Sequence, residues 1–113
     1  MLLSLEIAWF NLLVERGHDA YPGINRPEII SYNSKEVRYR WLLMVGQGLK
    51  RRFTKSEQIY LERKLRLAES KKEAVYLVLG FIQEPRRIIV LPVAKALKAQ
   101  CVYSDKGGIA WDD

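Results

Sequence analysis

The stretch from Arg26 to Gln47 constrains the fold of this 113-residue chain more than any other. Residues Glu28 to Tyr32 and Val37 to Val45 have the β-branched and aromatic content of paired strands, and Asn33-Ser34 provides a tight turn between them. In the second strand aromatic side chains alternate with arginines before a continuous apolar run begins. The pattern predicts a β-hairpin whose second strand begins half exposed and ends buried.

The segments around this hairpin predict alternating helices and strands. Apolar spacing, capping residues and turn residues are the signals used for each element. The expected order is a helix over 2–16 ended by Gly17, a short strand over 18–22, the hairpin, a helix from the capping box Thr54-Lys-Ser-Glu57 to Lys72, a central strand over 74–81, a strand over 86–91, a helix over 93–99 opened by Pro92, and a last hairpin or edge strand over 102–111.

Length and composition limit the chain to one ordinary globular domain. With 49% apolar and 28% charged residues, it can bury a core without metals or disulfides. We therefore expect a single small α/β domain over residues 1–113. Its central mixed β-sheet is flanked by helices: a helix, three strands, a helix and a strand form the core, and a β/α extension follows.

The positive charge is concentrated in one segment. The formal net charge is +6, and residues 50–72 alone hold nine Lys or Arg against three Glu. A localised basic field is typical of a surface that binds a polyanion, although a solvated helix face with extra lysines remains the alternative. The residues predicted to contact phosphates are Lys50, Arg51, Arg52, Lys55, Arg63, Lys64 and Arg66, with Arg38 and Arg40 at the rim.

Other site classes find little support in the sequence. The single Cys101 excludes an internal disulfide and fits a reducing cytoplasm, and one Cys with one His excludes a structural zinc site. His18 is expected to be a surface or capping residue. Lys106-Gly107-Gly108 is a turn, not a P-loop. The apolar segment 1–14 is shorter than the ~20 residues of a membrane span, so a buried amphipathic helix is expected.

The element order resembles the restriction-endonuclease-like fold of the PD-(D/E)xK nucleases, Holliday-junction resolvases in particular, over residues 2–82. The resemblance rests on a helix bearing an inward Glu6, on the helix end Glu-Arg-Gly at 15–17, on Pro27-Glu28 where the family has Pro-Asp, and on a basic helix that leads to an apolar strand.

The resemblance implies a Mg²⁺ site, because metal neutralises the charge that develops during phosphodiester cleavage. Glu28 fits the acid of the first motif and Glu6 fits the helix acid, so these two are the implied metal ligands. The (D/E)xK slot is expected at Met44-Val45-Gly46 or Val45-Gly46-Gln47, which contains neither a carboxylate nor a lysine. Gln47 stands at the lysine position, where a neutral amide supplies no positive charge.

Two explanations of the missing (D/E)xK residues are open, and a third possibility is an unrelated α/β fold. In the first explanation the acid has relocated to Glu57, and Lys50 or Arg51 supplies the positive charge. In the second the metal site has been lost. A capping-box Glu57 already has a structural role. Separately, Tyr32, Tyr39 and Trp41 could stack on bases, although strand aromatics more often form core.

The function that these patterns favour is nucleic-acid binding on a nuclease-like fold with an incomplete metal site, with DNA favoured over RNA. No membrane association is expected. The alternatives are a Mg²⁺-dependent endonuclease with a relocated carboxylate, and a non-catalytic interaction module or homodimer that needs no cofactor.

Overall fold

The computed structural model describes residues 2–23, 27–48, 50–81, 84–99 and 101–103. Three helices and seven strands follow one another in these residues. They are α1 (Leu2–Glu15), β1 (Asp19–Pro22), β2 (Glu28–Tyr32), β3 (Arg38–Gly46), β4 (Lys50–Arg52), α2 (Lys55–Lys71), β5 (Ala74–Phe81), β6 (Glu84–Pro92), α3 (Val93–Ala99) and β7 (Cys101–Tyr103).

Five of the strands form one mixed sheet in the order β1-β2-β3-β5-β6. The first three strands pair antiparallel, β3 and β5 pair parallel, and β6 pairs antiparallel with β5. Parallel strands need a crossover connection, which is provided here by the segment that contains α2. The mixed sheet predicted from the sequence is therefore confirmed.

The sheet separates two apolar cores, one on each face. On the first face α1 inserts Leu5, Trp9 and Leu13 among buried side chains of β3, β5 and β6. On the opposite face α2 and α3 cover the sheet, with Leu61 and Val93 among the fully buried residues. Alternation along β5 sends neighbouring side chains into different cores, so this strand is covered on both faces, as expected of a continuous apolar run.

Several predicted elements are confirmed almost to the residue. The N-cap Thr54 accepts a hydrogen bond from the Glu57 N–H, and the Glu57 carboxylate accepts one from the Thr54 N–H, which completes the predicted capping box. At the other end of α2, Lys72 adopts a left-handed conformation at φ 56° and closes the helix through its own N–H. Strand β5 and helix α3 begin and end where the sequence predicted.

The hairpin turn is longer than the predicted Asn33-Ser34 pair. The Asn33 side-chain oxygen accepts hydrogen bonds from the N–H groups of Lys35 and Val37, and Glu36 has a φ of 62°. An asparagine that bonds the backbone ahead of it stabilises a wider loop than a two-residue turn. The turn therefore spans the residues between β2 and β3.

Helix α1 is amphipathic, as predicted, and buries one narrow side against the sheet. Only Leu5, Trp9 and Leu13 are buried, whereas Leu3 is 61% exposed and Glu6 is half-buried. The helix rests on the sheet along one stripe at four-residue spacing, and its second apolar stripe lies at the edge.

His18 is buried at 4% exposure, so the surface position expected for it was wrong. Its backbone N–H does donate to the Leu13 carbonyl at 2.9 Å, which agrees with the expected capping role. The imidazole Nδ1 lies 2.9 Å from the Ser31 hydroxyl. The side chain fills the space between the end of α1 and the sheet.

One short element was not predicted. Strand β4 pairs antiparallel with β7 in a separate two-stranded sheet, in which Arg51 is paired with Val102. Three consecutive basic residues carry no apolar period that would indicate a strand. The remainder of the predicted hairpin over 102–111, with the turn at Lys106-Gly107-Gly108, lies outside the described residues. No helix in the described part of the chain is long and apolar enough to cross a membrane.

Candidate functional site

Glu28 opens β2 and is almost fully buried, at 2% exposure. The end of β1 approaches it closely, because a Cβ on Gly23 would lie 2.6 Å from the Glu28 Cβ. A side chain at Gly23 would therefore displace the acid. The Glu28 side chain lies on the face of the sheet that α2 covers, where the hydroxyl of Tyr60 is 3.4 Å from its Oε1.

Two cations of the chain bind the Glu28 carboxylate. The Arg40 Nη1 donates to Oε2 at 2.7 Å, and the Lys64 ammonium pairs with Oε1. Arg40 comes from the neighbouring strand and Lys64 from the middle of α2. Both carboxylate oxygens are thus already bound to internal positive charges, which a buried carboxylate requires.

The ion pairs continue away from Glu28 through a second buried carboxylate. Glu73 follows the C-cap of α2 and binds the Arg40 Nη2 at 3.2 Å and the Arg38 Nε at 2.7 Å. Arg40, at 7% exposure, therefore bridges two acids that are far apart in sequence. The structure places Arg40 beneath the surface and Arg38, with 38% of its side chain exposed, at the rim.

Burial and the nearby carboxylate both act on the phenol of Tyr60. Desolvation, followed by the negative charge and hydrogen bond of Glu28, raises the pKa of Tyr60 to about 12. A phenol that stays protonated can donate a hydrogen bond to Glu28 across the whole neutral range. Tyr60 thus adds a neutral donor to the two cations around this acid.

The donor set around Glu28 does not fit Mg²⁺. In the register of β2 and β3, Leu42 lies opposite Glu28 on the same face of the sheet. The β3 position that faces Glu28 is therefore earlier in the strand than the positions predicted for the (D/E)xK motif, Met44–Gln47. It provides no carboxylate. Mg²⁺ needs free hard oxygen ligands, whereas the Glu28 oxygens are bound by cations. The described residues contain no cluster of three acidic or other metal-ligating side chains.

Of the other acids predicted for the site, Glu6 shares a cavity with Glu28. Both line a cavity of about 360 Å³ between α1 and the start of β2, together with the apolar side chains Leu3, Ile7 and Phe10. Glu57 and Gln47 do not line this cavity. Glu6 and Glu28 thus border one cavity, but the Glu28 carboxylate is directed to the α2 side of the sheet, where Arg40 and Lys64 bind it.

Glu57 is occupied at the start of α2. Its carboxylate accepts hydrogen bonds from the Thr54 N–H at 2.8 Å and from the Arg51 guanidinium. Partial burial raises the pKa of the Glu57 carboxyl, but the bonds from Arg51 and Thr54 outweigh it and hold that pKa below its usual value. Arg51 also donates to the Val45 carbonyl at 3.1 Å, so both residues tie β4 to α2 and β3.

The other predicted basic residues form an open surface. Their side chains are exposed on β4 and along the outer side of α2, which leaves their charges available to solvent. They are Lys50, Arg52, Lys55, Arg63 and Arg66. Gln47 is exposed just after β3.

A groove of about 520 Å³ runs between α2 and the outer strands of the sheet. We call it the basic groove. Its base contains the buried Glu28 and Arg40, and its walls are formed by Tyr21, Tyr32 and Arg38 on the strands and by Lys64, Leu67 and Lys71 on the helix.

Sequence reasoning missed four residues of this region: Tyr21, Tyr60, Lys71 and Glu73. Lys64, Leu67 and Lys71 recur at spacings of three and four residues, so one face of α2 was recognisable as mixed basic and apolar. No local signal indicates that Glu73 is buried, because its partners lie on another strand.

A solved structure has a fold similar to that of this chain, whereas the sequence comparisons found no match. No protein-family model and no curated protein sequence matches the chain. Among solved structures, Hjc of Archaeoglobus fulgidus, a Holliday junction resolvase from an archaeal hyperthermophile, superposes with a TM-score of 0.63 at 16% identity. The match covers 81% of this chain and 72% of that chain. The chain therefore shares its α/β fold with this resolvase.

Proposed function

We propose that this chain is a non-catalytic nucleic-acid-binding protein, in which internal ion pairs replace the metal site of a nuclease-like fold. The observation that carries the proposal is the pairing of both Glu28 oxygens with Arg40 and Lys64. A resolvase among its structural neighbours adds support for a nucleic acid as the ligand.

Electrostatics argue against metal binding at Glu28. A divalent cation would have to displace two positive groups that already contact the carboxylate, and it would then lie beside both of them. Separating buried ion pairs is costly when the released charges stay buried. Arg40 is also hydrogen-bonded to Glu73, which holds its guanidinium beside the Glu28 carboxylate.

The surface that would meet nucleic acid is the open set of basic side chains on β4 and α2. Arg63 and Arg66 are exposed near the middle of α2, and Lys50, Arg52 and Lys55 lie toward its start. Cations on such a face release counterions from phosphates, which drives association without sequence selectivity. The carboxylate-bound Arg40, Arg51 and Lys64 would have a smaller share.

Binding is tested by fluorescence anisotropy with duplex DNA, single-stranded DNA and RNA over a series of salt concentrations. We expect log K to fall linearly with log salt. The double variant Arg63→Glu with Arg66→Glu should weaken binding and lower the salt slope by about 1 for each phosphate that is no longer bound.

The matched control is Lys95→Glu with Lys98→Glu on α3, which reverses two exposed charges and gives the same net charge. It should leave binding close to that of the unmodified protein. Equal losses in the two double variants would mean that net charge alone governs binding. Salt-insensitive binding, or none to any of the three nucleic acids, would contradict the proposal.

The endonuclease alternative is favoured by one observation, the shared cavity of Glu6 and Glu28. Plasmid and branched DNA incubated with Mg²⁺ or Mn²⁺ should remain intact. Cleavage that disappears in a Glu28→Ala variant would establish this alternative and overturn the non-catalytic function, whereas cleavage that persists would come from contamination.

A further inference from the structure

The basic groove has an aromatic wall that the open basic surface of α2 lacks. Tyr21 on β1 is 54% exposed, and its ring centroid lies 6.4 Å from that of Tyr32 in an edge-on arrangement. The Arg38 guanidinium stands 6.0 Å above the ring of Tyr32. Tyr21 therefore offers more open ring surface to a ligand than Tyr32, which is half-buried and has Arg38 over one face.

Two cations of the groove are available to an anion. Lys71 is exposed and forms no ion pair with any residue that the structure describes. Arg38 keeps 38% of its side chain exposed while it binds Glu73. Arg40 and Lys64 are paired with Glu28, and Arg40 also with Glu73, so their charges are balanced by carboxylates at the base of the groove.

These features fit an unpaired nucleotide. A volume of about 520 Å³ lies within the ~300–1,000 Å³ range of small-ligand pockets. A base in a duplex already stacks on its neighbours, so a protein ring reaches its face only when the strand is single or the base is unpaired. Base–aromatic stacking beside a cationic groove is how proteins hold single strands.

We infer that the basic groove binds an unpaired nucleotide of a single-stranded nucleic acid, with its base on Tyr21 and its phosphate between Arg38 and Lys71. This inference rests on the proposed function and names the form of nucleic acid that the protein prefers. Tyr39 and Trp41, the other strand aromatics considered for base stacking, are buried in the core at 3% and 0% exposure and therefore do not face a ligand.

The test compares Tyr21→Ala with Tyr21→Phe in the full chain. Affinity for single-stranded oligo(dT) and oligo(U) is measured by anisotropy beside a duplex of the same length. The alanine variant should bind single strands about 5- to 150-fold more weakly, because stacking is lost. The phenylalanine variant should keep the affinity, and duplex binding should change little in either.

A second pair of variants tests the phosphate contact. Lys71→Ala should weaken single-strand binding and reduce its salt slope by about 1. Lys95→Ala removes one exposed lysine on α3, away from the groove, and should leave both unchanged. Circular dichroism and thermal melting confirm that all four variants fold; the exposure of Tyr21, Lys71 and Lys95 favours this.

The two proposals fail differently. If the protein binds nucleic acid with the expected salt dependence but Tyr21→Ala leaves single-strand affinity unchanged, the groove inference is overturned and the proposed function stands. A preference for duplex over both oligonucleotides also overturns the inference. If no nucleic acid binds at all, both proposals fail.

Discussion

The first half of strand β3, residues 38–41, has one face built from aromatic rings and one built from charges. On the α1 side Tyr39 and Trp41 stack at 5.4 Å, and Trp9 meets Trp41 edge-on at 5.2 Å. On the α2 side Arg38 and Arg40 bind Glu28 and Glu73. Residues adjacent in sequence thus enter opposite environments, because side chains alternate along a strand.

The two faces differ in what they require from the rest of the chain. The aromatic face needs apolar volume and a few hydrogen bonds, such as the one that Trp41 Nε1 donates to the Ser31 hydroxyl at 2.7 Å. The charged face needs a specific partner for every group. We infer that the first face mainly supplies stability, whereas the second shapes the surface beside the basic groove.

The largest effect should come from breaking the aromatic face. Trp41 is fully buried between Trp9, Tyr39 and Tyr76, so Trp41→Ala leaves a large cavity and should cost about 3–5 kcal/mol of unfolding free energy. Urea denaturation measures it. A loss below about 1 kcal/mol would mean that the core collapses around the missing ring.

A smaller loss is expected from the charged face. Arg40→Met removes the bridge between Glu28 and Glu73, but Lys64 and Arg38 still pair with these acids. We therefore expect about 2–3 kcal/mol, below the ~3–5 kcal/mol of a stranded buried charge. Urea denaturation should detect this.

A double-mutant cycle sharpens the result. Combining Arg40→Met with Glu28→Gln should cost less than the sum of the two single changes, because the residues act on each other directly. Strict additivity would show that the Arg40–Glu28 contact contributes nothing to stability.

The smallest effect concerns the titration of Tyr60. Its pKa is raised to about 12 in the folded protein, against an ordinary value near 10. Stability from this phenol is therefore fully present below about pH 10 and is lost as the pH rises through about 12. In an ultraviolet alkaline titration, Tyr60→Phe should remove a late-titrating tyrosine and make stability less sensitive to alkali.

A Glu28→Gln variant separates the causes of this shift. It should lower the pKa of Tyr60 by removing the nearby negative charge, and leave the effect of burial. An unchanged late titration in Tyr60→Phe would show that another tyrosine is responsible.

Much of the fold could be predicted because its signals are local. The capping box Thr54–Glu57 and the apolar run of β5 each contain their own evidence, and the structure confirms both. Strand β4 was missed because its only reason to be extended is β7, which lies some fifty residues further along the chain. Short strands that depend on a distant partner have no sequence period of their own.

The site was predicted less completely, since its character depends on pairs distant in sequence. The alternation in β3 correctly separated arginines from aromatics, but it could not show that α2 would cover the arginine face. Glu28 was singled out because Pro27-Glu28 resembles a family motif. Its neutralisation by Lys64 became visible only in the folded chain, and the buried Glu73 has no local signature at all.

The contacts around Glu28 also differ in how they arise during folding. Arg40 lies across a hairpin from Glu28, so their pair closes a short loop. Lys64 and Glu73 reach this ion pair only after α2 has docked on the sheet and β3 has paired with β5. The parallel pairing of β3 with β5 closes a long loop. We expect the Glu28 carboxylate to acquire its first counterion early, and the charge network to close as one of the last steps to the native state.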